Sequence, residues 1–548
     1  AQTLPDPVRQ GNLFCSLGLA ESELGGSALN DAEKHLRQAV STYRDLSMRG
    51  ALAYSLSGLG QTLERLQRDK EALEAYREAV ALVELLATEV SSGDLQMFNG
   101  SRANAELYDR LIRLLLKGGQ PDESFRYLER YKAKSLMDAL SGLQIEAGDP
   151  KVQSLLLSVQ KLAIQLRKAE KDRTRGLATS DSLRSLESRY REAVARLQKT
   201  DPSYAGLVSV GPTDLARVRQ RLPQGTLLLE YFLTADQLHV FLVSADHGPQ
   251  VFSAPISRRK LVLAVSELRG RIKDRQDLEG LSQELYMALI GPVQSQVNAA
   301  RTLVIVPGGE LYHLPFQALL DPNGQFLIEK KTIAYLSQAD LLPSGSAARA
   351  PDEARLLALG NPDSSLPAAT REVREIGRLF TGAEVFVEKS ATLAQLARSR
   401  PVPTYLHLAT HGVFNGLDPK ESSLLMAGMP AHLRVRDLLE GRVSLRLQGN
   451  RLVTLSACQT HMGGNNPSAL YGSLSRAFSK IGAPSVVASL WSVEDESTRQ
   501  LMTDFYSQLA QGKPRGESLA SAQRKLLASK EFSHPYYWAP FVLLGDWR

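Results

Sequence analysis

A histidine and a cysteine stand at matching places in this sequence. The runs Tyr405-Leu-His-Leu-Ala-Thr-His411-Gly412 and Leu452-Val-Thr-Leu-Ser-Ala-Cys458-Gln-Thr460 are each a short apolar stretch that stops at a residue able to do chemistry. In an open α/β sheet, reactive groups gather at the carboxyl ends of parallel strands, where a rigid strand gives way to a loop free to expose a side chain. Cysteine is a strong nucleophile only as the thiolate, so it needs a base or a positive charge beside it. If the two runs are neighbouring strands, His411 is that base and Cys458 the nucleophile. Gly412 has no Cβ, so its backbone N–H can approach a developing oxyanion, and the N–H of Cys458 is the natural second donor. Ser456 and Ala457, small residues ahead of the cysteine, leave the approach to it open.

A lone cysteine at a strand end is more often a small buried hydrophobe than a nucleophile. The matched His-Gly strand end is what shifts the balance. Other candidates rank lower. His407 alternates with His411 along its strand and reads as a core or supporting residue, while His461 reads as a solvated loop histidine. Ser473, in Tyr471-Gly-Ser-Leu, lacks the trailing glycine of a serine-hydrolase elbow, and His313 reads as packing rather than catalysis.

Composition bounds the setting. With 548 residues, 43% hydrophobic and 23% charged, the chain is an ordinary globular protein too long for one core. No run approaches the ~18 to 20 apolar residues of a membrane span. Only Cys15 and Cys458 occur, in regions of very different pattern, which predicts no disulfide staple, no structural zinc set and a reducing, cytoplasmic setting. The net charge of +6 is spread along the chain without an aromatic-interleaved basic surface, so no nucleic-acid partner is expected.

The elements that must position the pair follow in order. Over residues 1–147 the pattern is helical and repeated. Ala72, Ala75, Tyr76, Ala79, Val83 and Leu86 recur at helical spacing, and Leu56-Ser-Gly-Leu59-Gly60 supplies small residues where one helix must approach another. Leu17-Gly18 with Ala32, Leu36 and Ala39 reads as an earlier copy, and Leu111 to Leu115 with Phe125, Leu128 and Tyr131 as a later one. Helix hairpins repeated at this interval resemble tetratricopeptide repeats, a solenoid that offers a surface to a protein partner.

Residues 148–200 read as a helical hairpin with coiled-coil seams at Val159, Leu162, Leu166, Ala169 and at Leu183, Leu186, Tyr190, Ala193, Leu197. The charged run Glu170–Gly176 reads as its loop. From 201 to 548 short strand-like runs alternate with helical stretches at about 258–275, 279–297, 370–380 and 495–510, the signature of a mostly parallel sheet covered by helices. The strand-like runs include 226–233, 237–243, 303–306, 356–359 and 485–490.

A family resemblance rests on particular residues. Leu406-His-Leu-Ala-Thr-His411-Gly412, Leu455-Ser-Ala-Cys458-Gln-Thr460, Ala488-Ser-Leu-Trp491 and Trp538-Ala-Pro540-Phe541 resemble the CHAT family, caspase-like domains joined to tetratricopeptide repeats and related to caspases and separases. Val306-Pro-Gly-Gly309-Glu-Leu-Tyr-His313-Leu-Pro315-Phe316 is similar to a further landmark of that family. The separation of 47 residues from His411 to Cys458 is close to the ~50 found in caspases.

The resemblance implies an α/β caspase-like domain after an all-α tetratricopeptide-like repeat region, and a cysteine endopeptidase with a His411/Cys458 dyad and no metal or other cofactor. It also implies a protein substrate, a regulatory partner on the repeats, and a substrate cleft containing Trp491 and Ser456. In separases an acidic residue after a similar Leu-Trp motif accepts a basic side chain, and Asp495 is the matching position here. A rival account of that segment is an acidic capping box formed by Ser492 and Asp495. The rival for the whole domain is a catalytically silent scaffold acting as a protein-interaction module.

Overall fold

The computed structural model describes residues 6–87, 101–140, 150–174, 180–200, 215–343, 354–398, 401–415, 418–443, 445, 447–457, 474–492 and 494–548. The chain divides into two compact units, residues 1–142 with 149–213 and residues 143–148 with 214–548. The all-α repeat region followed by a helix-flanked, mostly parallel sheet is the architecture that the alternation of patterns predicts.

The first unit is built of helix hairpins: α1 (Pro7–Leu24) with α2 (Leu29–Asp45), α3 (Arg49–Arg65) with α4 (Asp69–Ala87), and α5 (Ser101–Lys117) with α6 (Pro121–Leu140). The small residues do the work their spacing predicts. A Cβ on Gly18 would sit 2.6 Å from the Leu36 side chain, one on Gly58 2.5 Å from Leu19, and one on Gly60 2.4 Å from the ring of Tyr76. Ala32, Leu36, Ala72, Tyr76, Ala79 and Phe125 are buried among the helices. Ion pairs stitch successive second helices together at a fixed sequence interval: Arg37–Glu71 and Arg44–Glu78 each join residues 34 apart, the period of a tetratricopeptide repeat. Between α4 and α6 the interval lengthens to 46, in Arg77–Glu123 and Arg130–Glu84.

Helices α7 (Pro150–Thr174) and α8 (Ser180–Thr200) pack as the expected hairpin, with Val152, Leu156, Val159, Leu162, Tyr190, Ala193 and Leu197 buried. The charged run departs from expectation in one respect. Glu170 to Thr174 are helical, the last turn of α7, because nothing between Lys171 and Thr174 breaks a helix.

The second unit centres on an eleven-stranded sheet of order β3-β2-β1-β4-β5-β14-β13-β12-β8-β6-β7. Its strands are β1 (Thr226–Leu233), β2 (Leu238–Val243), β3 (Gln250–Ala254), β4 (Thr302–Val306), β5 (Thr332–Tyr335), β6 (Leu356–Gly360), β7 (Glu384–Val387), β8 (Tyr405–Ala409), β12 (Leu452–Ser456), β13 (Ser485–Ser489) and β14 (Phe541–Gly545). Antiparallel pairing is confined to β1–β2, β2–β3 and β13–β14. Strands β6, β8, β12 and β13 are buried along their whole length and β4 at all but its first residue, as a sheet covered on both faces requires. A smaller antiparallel sheet of β9 (Gly412–Val413), β10 (Ser423–Leu425) and β11 (His432–Arg434) stands directly after β8, in the order β11-β10-β9.

The helical stretch expected over 279–297 is broken in two, Glu279–Leu289 and Gln294–Ala299, because Gly291-Pro292 turns the chain through a 3₁₀ segment. Among the described residues no helix is long and apolar enough to cross a membrane.

Candidate active site

Strands β8 and β12 are parallel neighbours, with Leu452 opposite Tyr405 and Ser456 opposite Ala409. Their ends are tied together, since the Thr410 N–H donates to the Ser456 carbonyl at 3.2 Å. The Thr410 hydroxyl donates to the Leu425 carbonyl at 2.8 Å, fixing the turn that presents His411. On the other strand the Ser489 hydroxyl donates to the Ala457 carbonyl, the last described peptide oxygen before Cys458. Cys458, His461 and Ser473 lie outside the described residues. In sequence, His411 follows Ala409 by the same two positions as Cys458 follows Ser456.

Gly412 stands opposite Leu424 in the small sheet, and the Leu425 N–H donates to the His411 carbonyl at 2.9 Å. That bond makes Gly412–Leu424 a non-hydrogen-bonded pair, so the N–H and C=O of Gly412 point away from β10.

His411 meets a loop that the sequence reading did not single out. Its Nε2 lies 2.6 Å from Ser365 Oγ and 3.6 Å from Asp363 Oδ2. Ser365 and Asp363 sit in the turn after β6, the strand next to β8, so the rule that found His411 applies to them once strand order is known. Burial pushes the Asp363 carboxyl up, but the Ser365 hydroxyl, its N–H and the nearby His411 ring outweigh that and hold it below the ordinary carboxylate range.

Beneath this loop is a buried polar chain. His407 Nε2 lies 2.7 Å from Glu372 Oε1 and its Nδ1 3.3 Å from the Tyr506 hydroxyl, which donates to Thr454 Oγ1 at 2.8 Å. His407 is the core residue its alternation predicts, at 0% side-chain exposure. The chain joins β8 and β12 to the helices Pro367–Gly377 and Asp495–Ala510.

The acidic segment after Trp491 resolves into three roles. Glu494, and not Ser492, caps the Asp495–Ala510 helix, its carboxylate accepting from the N–H groups of Glu496 and Ser497. The Ser492–Asp495 capping box is therefore not formed, because the helix starts too late for Asp495 to reach back. Glu496 pairs with Arg371 and Arg499. The Asp495 side chain has no hydrogen bond or ion pair among the described residues. Burial, with Glu372 and Glu494 nearby, raises its pKa, while His411 and Arg371 oppose the rise.

Trp491 is buried, its Nε1–H donating to the Tyr536 carbonyl at 3.3 Å, and Ser456 is buried at the end of β12. The Trp538-Ala-Pro540-Phe541 motif backs this edge: the Leu490 N–H donates to the Pro540 carbonyl at 2.9 Å, and Phe541 stands opposite Ser489. In the Val306–Phe316 motif, Gly308 lets the backbone of β1 come close, since a Cβ there would meet the Tyr231 carbonyl at 2.3 Å. His313 lies after β4, which β5, β14 and β13 separate from β12. Burial and the nearby Arg269 push its pKa down to about 4, so it is neutral. Cys15 is a buried free thiol in the first unit, receiving a hydrogen bond from Ser55 at 3.3 Å. Among the described residues no group of three or more His, Cys, Asp and Glu side chains is arranged to hold a metal.

A family model described as the CHAT domain matches residues 279–546. Tetratricopeptide repeat protein 28 of Mus musculus is 26% identical over 325 residues, which cover 48% of this chain and 13% of that protein. The Homo sapiens protein of the same name is 26% identical over 324 residues, with the same shares. The chain thus spans a small fraction of the length of these relatives. Among solved structures, the Saccharomyces cerevisiae separase–securin complex overlaps 98% of this chain and 53% of that one at a TM-score of 0.43 and 8% identity. The Arg-specific cysteine proteinase gingipain R of Porphyromonas gingivalis overlaps 52% of this chain and 75% of that one at a TM-score of 0.34 and 11% identity. The motifs, the sheet that carries them and the family match converge: residues 279–546 of this chain form a CHAT domain.

Proposed function

We propose that the CHAT domain is a cysteine endopeptidase in which His411 is the base and Cys458 the nucleophile. The observation that carries this reading is the parallel register of β8 and β12, which sets Ala409 beside Ser456, each two residues ahead of a dyad member. The Cys458 proton passes to His411, and the thiolate attacks the peptide carbonyl. The outward N–H of Gly412 and the N–H of Cys458 stabilise the oxyanion. The imidazolium returns its proton to the leaving amine, and water then hydrolyses the thioester. The helical repeats dock the protein substrate or a regulatory partner, and Ser456 and Trp491 shape the floor of the cleft from beneath.

The test is covalent labelling by a tagged peptidyl chloromethyl ketone. Label is expected on the wild-type chain, absent from Cys458→Ala, and reduced about 100-fold in His411→Ala, the low end of general-base contributions. Label that persists in Cys458→Ala, or none on the wild type, overturns the reading.

Asp495 is the proposed seat of specificity. A carboxylate raised by its surroundings and lacking a partner gains most from an incoming cation, and a guanidinium fits it bidentately. The enzyme is expected to prefer Arg over Leu before the cut bond, and Asp495→Ala to reduce that preference about 10- to 100-fold, the worth of a charged hydrogen bond of about 1.5–3 kcal/mol. The preference needs the ionised carboxylate. It is therefore present above the Asp495 pKa and lost as pH falls through it, at a higher pH than for an ordinary aspartate. A library of peptide substrates cut with an apolar preference, or an unchanged preference in Asp495→Ala, rules this out.

A further inference from the structure

The proton positions around His411 follow from the hydrogen bonds of its neighbours. Ser365 Oγ lies 2.8 Å from Asp363 Oδ1 and 2.6 Å from His411 Nε2. A hydroxyl has one proton to donate, and an ionised carboxylate can only accept. Asp363 is held in its ionised form, so the Ser365 proton lies toward it. The Ser365 oxygen can then only accept from His411, which puts a proton on Nε2. In a neutral imidazole the other nitrogen, Nδ1, is left bare.

The loop is built to hold this arrangement. Asn361 and Ser364 adopt left-handed backbone at φ +53° and +65°, conformations that a non-glycine residue holds only where the surroundings impose them. They are imposed here. The Asn361 N–H donates to the Ala409 carbonyl at 2.9 Å, its Nδ2 donates to Thr370 at 2.9 Å, and its Oδ1 accepts from the Leu366 N–H at 2.7 Å. The loop thus hangs from the end of β8, the strand that carries His411.

We propose that Ser365 and Asp363 are positioning residues that fix His411 as its Nε2–H tautomer and direct the Cys458 proton to Nδ1. This rests on the reading of His411 as the base for Cys458. In the step, the Cys458 S–H bond breaks and its proton bonds to Nδ1, leaving a thiolate and an imidazolium. The Nε2–H stays in its bond to Ser365, and the Asp363 carboxylate, 3.6 Å from Nε2, offsets the new positive charge. Asp495 is the second carboxylate that faces His411, itself acted on by Glu372, Glu494 and Arg371. Asp363 differs in being joined to the ring through a shared hydroxyl.

The test reads thiolate formation without needing a substrate. Full-length protein is alkylated with iodoacetamide across a pH series, and modification is followed on the peptide that bears Cys458. In the wild type the midpoint should fall below the about 8.5 of a free cysteine. Asp363→Asn and Ser365→Ala should each raise the midpoint by about one unit, a tenfold loss of rate near neutrality. Ser365→Thr, which keeps the hydroxyl, should restore the wild-type profile. Both positions are exposed, so the variants should fold. If Ser365→Ala and Asp363→Asn keep the wild-type midpoint while His411→Ala raises it, the relay is wrong and the dyad stands. If His411→Ala also leaves the midpoint unchanged, the dyad reading fails and takes the relay with it.

Discussion

Replacing Cys458 with serine will reduce peptide hydrolysis at least about 1000-fold while leaving the fold intact. Serine has the oxygen in place of the sulfur but a far higher pKa, and His411 is matched to a thiol. A 1000-fold loss corresponds to about 4 kcal/mol of transition-state stabilisation. The loss should fall on turnover, because the change touches one atom of the nucleophile and none of the proposed Asp495 subsite. The measurements are steady-state rates on a peptide with Arg before the cut bond, alongside the thermal midpoint. A serine enzyme within tenfold of the wild type would remove Cys458 from the mechanism.

Glu372→Ala should produce the largest loss of stability among changes near the site. Glu372 and His407 are 2% and 0% exposed and joined at 2.7 Å. Removing one partner of a buried pair costs about 3–5 kcal/mol, because the other polar group is left without compensation. Glu372→Gln, which keeps a hydrogen-bonding group, should cost less than half as much. The three tryptophans, Trp491, Trp538 and Trp547, all belong to the sheet domain, so tryptophan fluorescence in urea follows that domain alone. A change below about 1 kcal/mol in Glu372→Ala would mean that water reaches the pair and solvates the polar group left behind.

How much of this was legible in the sequence depended on whether the signal was local. The strands that carry the candidate dyad announce themselves, because Tyr405–Ala409 and Leu452–Ser456 are unbroken runs that a doubly covered sheet requires. Close helix contacts in the repeats were legible through Gly18, Gly58 and Gly60, since only a missing side chain admits Leu36, Leu19 and Tyr76 at such distances. Strands β3, β5, β7 and β14 were not singled out. Strand β5, at four residues, is too short to show a period, and β3 and β7 are only partly buried at the outer ends of the sheet. Asp363 and Ser365 were missed for a different reason. Nothing in Asn361-Pro-Asp-Ser-Ser365 distinguishes it from any polar turn until strand order places β6 beside β8. Glu494 was missed as the cap because Ser492 has the better residue type for that position, and only the backbone decides where a helix begins.

Strand β14 follows every other strand in sequence, yet it lies in the middle of the large sheet, between β5 and β13. The sheet therefore consists of two halves, β3-β2-β1-β4-β5 and β13-β12-β8-β6-β7, that share no hydrogen bond until β14 is inserted. A ribosome makes the other strands first, and domains form as their chains emerge. The half that bears His411 must wait, with the β13 edge open, for residues 541–545 to leave the exit tunnel. A chain arrested before them holds the sequence of both candidate dyad residues but an unfinished sheet, so the proposed activity would arise only when synthesis has passed that point.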